Sequence, residues 1–426
     1  MSSIARREFL QMNLIAAAGL PAATAILRGA DLPKASPNER LGLGFIGLGG
    51  MGSGTFQAML KQPDVEVRAV CDVYEPHAER ARQATDGKAE LYKDFRKLLE
   101  RKDIDAVVIS TPDHWHGLCA IEACKAGKHV YCEKPLTHNV AEGKALVEAA
   151  QKHDRITQMG IQIHGGENYH RVVDAVRSGI LGTIHKVHVW VSRPPLGIGK
   201  PANSKVPDGL DWEFWVGPAP KQPFNTNRFL FHWRWFWDFG GGLLGDMGCH
   251  VLDLAHWAMN VQAPTSVTAT GGKWHADDNT ETPDTMEVLY EYPGFVMTWS
   301  HTNLSPRGRE GRGLGVLFHG TNGTLLADYG SMQLLDNQGK PMAPKIDNPI
   351  PRSRGHHREW LEGIRNHKPC PTGFEYGHRL TTVCHLGNIA LAMGRKLYWD
   401  AHAQQFMNDD QANQKLSRRY RKPWGI

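Results

Sequence analysis

A glycine-rich motif near the start of the chain, GFIGLGGMGSG at residues 44–54, constrains the fold more than any other feature. An apolar run, Leu41–Ile46, leads into the motif, and a helix-like stretch, Thr55–Lys61, follows it. A second apolar run, Val65–Val70, ends just before Asp72, about 20 residues past the last glycine of the motif. The glycine spacing alone would be a weak signal, but strand, glycines, helix, strand and acid in this order predict a dinucleotide-binding unit.

The residues of the motif have separate roles in such a unit. Gly47 permits a tight turn, Gly49 lets the backbone approach a pyrophosphate, and Gly52 lets the helix pack on the strand. The N-terminus of the helix that follows offers free N–H groups and the positive end of its dipole to the phosphates, and Gly50 and Met51 are predicted to bind the cofactor as well.

Asp72 indicates which dinucleotide is bound. Its carboxylate stands where hydrogen bonds from the adenosine ribose hydroxyls are accepted, and it would repel a 2′-phosphate. No arginine or lysine follows it directly. We therefore expect NAD as the cofactor, in preference to NADP.

The N-terminal residues predict an export signal. The twin arginine Arg6-Arg7 is followed by an Ala- and Gly-rich apolar stretch, Met12–Ile26, that contains a small-residue cleavage motif. This order is typical of a Tat signal peptide over residues 1–30, and an amphipathic helix is the alternative. We expect a periplasmic protein with no membrane span in its mature part, since no later stretch is long and apolar enough.

Composition argues against several classes of partner. The net charge of +5 is mild, and the basic run at residues 418–422 is more typical of a solvated or subunit-docking tail than of a nucleic-acid site. The seven cysteines are odd in number and scattered, with no C-x-x-C pair. We expect no nucleic-acid partner, no disulfide framework and no metal site.

Two domains are predicted from the order of strand-like and helix-like runs. These runs alternate over residues 41–163, which predicts an α/β fold with a doubly wound parallel sheet, a Rossmann domain. Strand-like runs dominate residues 164–400, which predicts a second α/β domain on a large, mostly antiparallel open sheet. Residues 31–40 are a predicted linker, and residues 401–426 are a predicted tail.

Two polar segments follow predicted strands of the first domain, and parallel sheets bind ligands at the carboxyl ends of their strands. They are Ser110–His116 (STPDHWH) and Glu133–Pro135 (EKP). Lys134 directly precedes a proline, which restricts its backbone to extended conformations. His114 and His116 have no obvious acidic or cysteine partner for a metal, so a loop role or a cofactor contact is favoured.

A third segment, Gly240–His250 (GGGLLGDMGCH), opens a predicted helix of the second domain. Asp246 and His250 are four residues apart and share one helix face, where a carboxylate can orient an imidazole and raise its basicity. The glycines at 240–242 remove side-chain bulk where a ligand could approach. A surface ion pair is the alternative for this face.

In combination these segments resemble the Gfo/Idh/MocA oxidoreductase family over about residues 41–399. The resemblance is carried by GLGGMG at 47–52, TPDHWH at 111–116, AGKHVYCEKP at 126–135 and the segment at 240–250. The family acts mostly on sugars and cyclitols. The resemblance implies an N-terminal Rossmann domain, a C-terminal domain with an open antiparallel sheet, and a homo-oligomer.

The resemblance also implies site residues. Lys134, Asp246 and His250 match the lysine and the Asp/His pair of family dehydrogenases. Asp113 stands where many relatives carry asparagine, which leaves the ribose contacts open. The matching cofactor-side positions are Gly47, Gly49, Gly52, Asp72, Thr111, His116 and Glu133, with Gly50, Met51 and Lys134 beside them.

A small-molecule sugar, cyclitol or glycoside is the expected partner. Gln162 and His164, at the end of the strand that joins the domains, are expected to face the substrate or the nicotinamide. Trp235 belongs to a tryptophan-rich stretch that would suit sugar stacking, although such aromatic residues more often lie in a core.

The predicted activity is that of an NAD-dependent oxidoreductase. His250, oriented by Asp246, would take the proton of a secondary hydroxyl, Lys134 would steady the same oxygen, and a hydride would pass to the nicotinamide. One alternative is a redox-neutral glycosidase that oxidises, eliminates and re-reduces with one retained NAD. Family glycosidases differ in the segment at 240–250, which favours the dehydrogenase. A nucleotide-bound sensor is a third alternative, which the intact lysine, aspartate and histidine disfavour.

Overall fold

A computed structural model describes residues 39–426 of the chain. The predicted export signal, residues 1–30, and residues 31–38 of the predicted linker lie outside the described residues. The described residues form two large sheets, one in each predicted domain.

The first domain consists of strands and helices that alternate along the chain. They are β1 (Leu41–Ile46), α1 (Gly50–Leu60), β2 (Val65–Cys71), α2 (Glu75–Gln83), β3 (Glu90–Tyr92), α3 (Phe95–Leu99), β4 (Ala106–Ile109), α4 (Asp113–Lys125), β5 (His129–Glu133), α5 (Val140–Lys152) and β6 (Thr157–Gly160). The six strands are parallel in the order β3-β2-β1-β4-β5-β6. The strand order reverses between β1 and β4, which is where such sheets open a ligand-binding crevice.

The second domain is built on nine strands. Its elements are α6 (Glu167–Arg177), β7 (Ile184–Ser192), α7 (Trp212–Val216), α8 (Gly242–Met259), β8 (Ser266–Gly272), β9 (Thr285–Tyr292), β10 (Phe295–Thr302), β11 (Leu314–Gly320), β12 (Gly323–Ala327), β13 (Met332–Asp336), α9 (His356–Asn366), α10 (Phe374–Met393), β14 (Leu397–Asp400), β15 (Gln405–Phe406) and α11 (Asp410–Asn413). The strand order is β13-β12-β11-β7-β10-β9-β8-β14-β15, and only β7 and β10 pair in parallel. Residues along β10 alternate between buried and half-buried because helices cover one face of the sheet. The predicted fold class, a Rossmann sheet followed by a mostly antiparallel sheet, is confirmed.

The C-terminal residues pack in part on the first domain, so the predicted tail is not solvated throughout. Arg418 donates to the His114 carbonyl oxygen at 2.6 Å and pairs with the buried Glu142 at 2.8 Å. The Trp424 ring meets the Trp115 ring edge-on, with 4.7 Å between centroids. Arg418 is therefore held by a carboxylate and a carbonyl oxygen of the same chain, whereas Arg419 and Lys422 are exposed.

Candidate active site

The glycine turn links the end of β1 to the start of α1. Gly47 has a φ of +86°, and a Cβ on Gly52 would lie 2.2 Å from the Gly47 carbonyl oxygen. A Cβ on Gly50 would meet no atom within 4 Å, and a Cβ on Gly49 would meet only the His77 ring at 3.8 Å. Gly47 and Gly52 are thus required by the packing of the chain, whereas the surface over Gly49 and Gly50 is open to a ligand.

Asp72 ties this turn to the end of β2. Its Oδ2 accepts a hydrogen bond from the Leu48 N–H at 2.7 Å, and its Oδ1 accepts one from the Tyr74 N–H at 2.8 Å. Arg80 of α2 donates to the Leu48 carbonyl oxygen at 3.2 Å and to the Ser53 hydroxyl at 3.1 Å. No sequence pattern singled out Arg80, because an arginine on a solvated helix is ordinary.

Polar atoms without partners surround the ends of β4 and β5. The hydroxyls of Ser110 and Thr111 and the Oε2 of Glu133 are buried, and none has a hydrogen-bond partner among the described residues. The other carboxylate oxygen of Glu133 accepts from the Gln162 amide at 2.7 Å. Burial raises the pKa of Glu133 to about 7. Buried polar atoms are normally satisfied, so this arrangement fits a polar ligand between the two strand ends.

These features fit NAD. The groups that would hold it are the open turn at Gly49 and Gly50, the start of α1, which no side chain caps, and the unpartnered atoms of Thr111 and Glu133. Met51, in the first turn of α1, is 45% exposed and borders the same opening.

Both ring nitrogens of His116, a predicted cofactor-binding residue, lie next to backbone carbonyl oxygens. Nδ1 lies 2.7 Å from the Pro135 carbonyl oxygen, and Nε2 lies 2.8 Å from the Thr111 carbonyl oxygen. Burial lowers the pKa of His116 to about 4, so the ring is neutral at neutral pH. The His116 ring therefore joins the loops that follow β4 and β5, and its contact with the cofactor stays a prediction.

Four charged residues, here called the Asp246 cluster, bring the two domains together: Lys134, Arg193, Arg234 and Asp246. The Lys134 ammonium donates to the Asp246 carbonyl oxygen at 2.6 Å and to its Oδ1 at 2.8 Å. Arg234 Nε donates to the same Oδ1 at 3.0 Å, and Arg193 lies 3.8 Å from Oδ2. Burial would raise the pKa of Asp246, but the three positive charges outweigh it and hold that pKa well below its usual range.

His250 lies one helical turn beyond Asp246, but the carboxylate does not orient its ring. Oδ1 of Asp246 accepts from both Lys134 and Arg234, and Oδ2 lies 3.8 Å from Arg193, because cations compete better for a carboxylate than a neutral imidazole does. Burial, together with the Lys134 charge, lowers the pKa of His250 to about 3, so the ring is neutral. Its Nδ1 is buried and has no hydrogen-bond partner among the described residues.

Asp113 begins α4 beside the Asp246 cluster and is buried. Burial raises the pKa of Asp113 to about 8, although the charges of Arg234 and Lys134 oppose that shift. Sequence reasoning noted Asp113 only as a departure from asparagine. Its burial, which a single sequence does not display, makes it a mostly protonated neighbour of the cluster at neutral pH.

The three glycines before α8 are needed for a different reason from the one expected. A Cβ on Gly240 would lie 2.8 Å from the Arg234 Cα, and one on Gly242 would lie 2.9 Å from the Thr282 Cβ. Gly242 also has a φ of +65°. Protein atoms therefore fill the space that was expected for a ligand, and the glycines let Arg234 and Thr282 approach the start of α8.

The three predicted substrate-side residues differ in position. Gln162 donates to Glu133 and lies at the strand ends. His164 lies 3.0 Å from a carboxylate oxygen of the buried Asp253 and stacks on Trp257, with 3.8 Å between centroids. The Trp235 side chain is 1% exposed, so in this structure it offers no face for sugar stacking.

Among residues 39–426, no group of three or more His, Cys, Asp or Glu side chains is arranged to hold a metal ion. No helix of the same residues combines the length and apolar character needed to cross a bilayer. All seven cysteines are buried free thiols.

One group of known proteins resembles this chain in sequence, and a second group resembles it in structure. Curated relatives include glycosyl hydrolase family 109 protein 1 of Shewanella sp. (strain ANA-3), 31% identical over 207 residues, and an alpha-N-acetylgalactosaminidase of Shewanella oneidensis, 30% identical over 206 residues. Each match spans 43% of this chain and 45% of the relative, so this chain matches less than half of the relatives' length.

The similar solved structures share the fold over most of the chain. A WlbA dehydrogenase from Chromobacterium violaceum, in complex with NADH and UDP-GlcNAcA, has 21% identity and a TM-score of 0.66, and the match covers 87% of this chain and 99% of that one. A levoglucosan dehydrogenase, in complex with NADH and levoglucosan, has 19% identity and a TM-score of 0.64, with 84% and 99% covered.

Family models account for nearly all described residues. A model described as an oxidoreductase family NAD-binding Rossmann fold matches residues 41–161, and one described as an oxidoreductase family C-terminal alpha/beta domain matches residues 171–426. The chain therefore belongs to the Gfo/Idh/MocA oxidoreductase family, and its first domain is an NAD-binding Rossmann domain.

Proposed function

We propose that the protein is an NAD-dependent oxidoreductase that transfers a hydride between a secondary hydroxyl of a sugar or cyclitol and the nicotinamide. The observation that carries this proposal is the position of the Lys134 ammonium. It follows β5 at the carboxyl edge of the NAD-binding sheet and donates to Asp246, one helical turn from a neutral, unpartnered His250 nitrogen.

The side chains divide the proton chemistry between them. His250, neutral and with a free nitrogen, accepts the proton of the substrate hydroxyl. Lys134 can donate a hydrogen bond to the same oxygen and stabilise the negative charge that develops on it. Asp246 holds the lysine in place and stays ionised. NAD, when bound, supplies the redox step by accepting the hydride from the carbinol carbon.

A redox-neutral glycosidase is the second candidate, and the similarity to glycosyl hydrolase family 109 proteins favours it. In that reaction the same base and lysine would serve oxidation, loss of the aglycone and re-reduction. Export through the Tat pathway would suit such an enzyme, because it needs no fresh cofactor. Export and homo-oligomer formation remain part of this proposal, and both rest on the sequence motifs and the family resemblance.

The test starts from purified protein that has not been dialysed. Mass spectrometry and absorbance identify any bound nucleotide, and a panel of free sugars, cyclitols and aryl glycosides is then added. NADH formation on a free sugar supports the dehydrogenase. Steady aglycone release without net NADH supports the glycosidase. Absence of any nucleotide binding, with added NAD as well, would contradict both candidates.

A further inference from the structure

The Asp246 cluster contains more positive than negative charge. Three cationic side chains, Lys134, Arg234 and Arg193, surround one carboxylate at 2.8, 3.0 and 3.8 Å. Buried charges are normally paired, because an uncompensated ion loses its hydration. The side chains within the cluster leave two positive charges without a counter-ion.

The nearby acids compensate only part of this excess. Asp113 is buried next to Lys134 and Arg234, and burial raises its pKa to about 8, so it is mostly uncharged at neutral pH. Glu133 follows the same trend, with a pKa that burial raises to about 7. A carboxyl group that remains protonated beside cations cannot act as their full counter-ion.

The three cations differ in how far their donors are used. Lys134 donates twice to Asp246. Arg234 donates to Asp246 and to the Phe231 carbonyl oxygen, and its guanidinium lies over the Trp233 ring at 4.3 Å. Lys134 and Arg234 are therefore both held in place by protein atoms.

Arg193 is the least engaged of the three. Its side chain is 33% exposed, and its one ion pair, with Asp246, is 3.8 Å long. No hydrogen bond from its guanidinium to another described residue is formed, although the group carries five N–H donors in a planar fork. Its main-chain N–H donates to the Thr302 carbonyl oxygen at 2.9 Å, which fixes the residue at the end of β7.

Holding Asp246 ionised explains Arg193 only in part. Lys134 and Arg234 already make direct hydrogen bonds to that carboxylate, and Arg193 approaches it without one. A half-buried arginine whose fork is unused, next to the reacting groups, is suited to a bidentate anion.

We propose that the substrate of this site is an anionic sugar, and that Arg193, supported by Arg234, binds its acidic group beside the hydroxyl that Lys134 and His250 act upon. This inference rests on the proposed function, because it assigns the class of substrate at the same site. The planar fork matches a carboxylate best, so a sugar acid such as a uronate is the favoured ligand, and a sugar phosphate shares the anionic chemistry.

The test compares substrates that differ in charge and little else. D-Glucuronate and D-galacturonate are paired with their neutral amides, D-glucuronamide and D-galacturonamide, and glucose 6-phosphate is added as the phosphate probe. NADH formation gives kcat/KM, and calorimetry on the NAD-loaded protein gives the dissociation constant without turnover. We expect at least one uronate to bind about 10- to 100-fold more tightly than its amide, as charge-assisted hydrogen bonds imply.

Variants assign that difference to the arginine. Arg193→Gln should reduce the ratio between acid and amide to near one, and Arg193→Lys should restore part of it. Arg171→Gln, an exposed arginine of α6 outside the cluster, should leave the ratio unchanged. A preference for glucose 6-phosphate that Arg193→Gln abolishes would support the anion site with phosphate as its ligand.

The outcomes separate the two proposals. If neither the uronates nor the phosphate binds better than the neutral sugars, or if the preference survives in Arg193→Gln, the anion site is wrong. If neutral sugars are oxidised in that case, the proposed dehydrogenase activity still stands. Uronate that binds through Arg193 and is never oxidised would support the anion site and contradict the proposed reaction.

Discussion

Two side chains of the candidate site, Lys134 and His250, differ in how firmly the protein holds them. Lys134 makes two hydrogen bonds to Asp246, whereas the His250 ring makes none through its buried Nδ1. A side chain with an unused nitrogen contributes little to folding and is available for chemistry. Substitution of His250 should therefore lower the activity and leave the stability of the fold nearly unchanged.

His250→Ala should lower kcat by about 100- to 10,000-fold, because it removes the proton acceptor. NAD affinity and the melting temperature should stay close to those of the wild type, since the ring gives up no hydrogen bond of the fold. Turnover of a sugar that the substrate panel identifies, NAD titration and thermal melts measure the three quantities. Lys134→Ala is the companion variant, and it should lose turnover and also stability because Asp246 loses a partner. Full activity in either variant would contradict the assigned roles.

Asp72 carries the second prediction. Its carboxylate receives the Leu48 and Tyr74 N–H groups, and the Arg80 guanidinium lies on the same turn. Asp72→Ser should weaken NAD binding and relax the discrimination against NADP, because it removes a negative charge and leaves the arginine near a 2′-phosphate.

The measurement for Asp72 is the ratio of the NAD and NADP dissociation constants. Asp72→Asn controls for the hydrogen bonds, since it keeps an acceptor and loses the charge. An unchanged ratio in both variants would mean that another residue reads the ribose.

Sequence patterns could predict some members of the Asp246 cluster and not others. Lys134 stands at a strand end and Asp246 opens a helix, so their motifs marked both. Arg193 and Arg234 lie in stretches without periodicity, where an arginine carries no signal of its own. The spacing of Asp246 and His250 predicted a shared face, but it could not show that a lysine from the other domain would take the carboxylate.

At the level of elements, the start of α1 separates glycines that serve folding from glycines that leave room for a ligand. Gly52→Ala should destabilise the protein by about 1–3 kcal/mol, because its Cβ would clash with the Gly47 carbonyl oxygen. Gly50→Ala should preserve stability or raise it slightly, since alanine favours helix and meets no atom there. It should nevertheless weaken NAD binding by crowding the open turn.

Urea unfolding of NAD-free protein and NAD titration together test this pair. The two variants make the same chemical change in one helical turn, so each is the control for the other. Equal loss of stability in both would show that the turn is less open than the structure indicates. Unaltered NAD affinity in Gly50→Ala would place the cofactor elsewhere.

Long periodic elements were predictable, and short edge elements were not. The strand-like runs predicted over residues 164–400 are present, and β10 shows why: its alternating burial imprints a two-residue period on the strand. The predicted helix Thr55–Lys61 begins at Gly50 instead, since the glycines themselves form its first turn. The two-residue β15 is too short to show any period.

At the level of the whole molecule, the C-terminal segments return to the Rossmann domain. Arg358 of α9 pairs with Asp64 of the first domain at 2.8 Å, and Trp360 is buried in the core on that side of the sheet. Arg418 reaches the His114 carbonyl oxygen on the other side. Contacts between residues this distant along the chain leave no local pattern, which is why the sequence of the tail did not reveal them.

Buried histidines carry the last prediction, which concerns stability and pH. Burial lowers the pKa of one set of rings to about 4 and of another to about 3; the first set is His116, His256, His301, His357 and His385, and the second is His114 and His250. The unfolded chain binds protons at these rings near pH 6.5, and the folded chain does so only at lower pH. These rings therefore do not affect the free energy of unfolding above pH 6.5. They lower it as the pH falls towards 4, because the unfolded chain then binds more protons than the folded chain.

Each such ring changes the free energy of unfolding by up to about 1.4 kcal/mol per pH unit in that window. Glu133 and Asp113 act in the opposite sense, because burial raises the pKa of each, and their cost to folding is relieved as the pH falls. Burial also raises the pKa of Asp238 and Glu281, but the histidines whose pKa burial lowers outnumber these four acids. The melting temperature should therefore fall steeply between pH 6.5 and pH 4.5.

His301 is the best single probe: its Nδ1 accepts from the Trp299 indole at 2.9 Å, so protonation would break that hydrogen bond. His301→Gln should flatten the pH dependence of the free energy of unfolding, whereas His402→Gln, at an exposed position, should leave it unchanged. Urea unfolding at pH 7.5, 6.0 and 5.0 measures the slope, and identical slopes in both variants would mean that the buried ring does not titrate on unfolding.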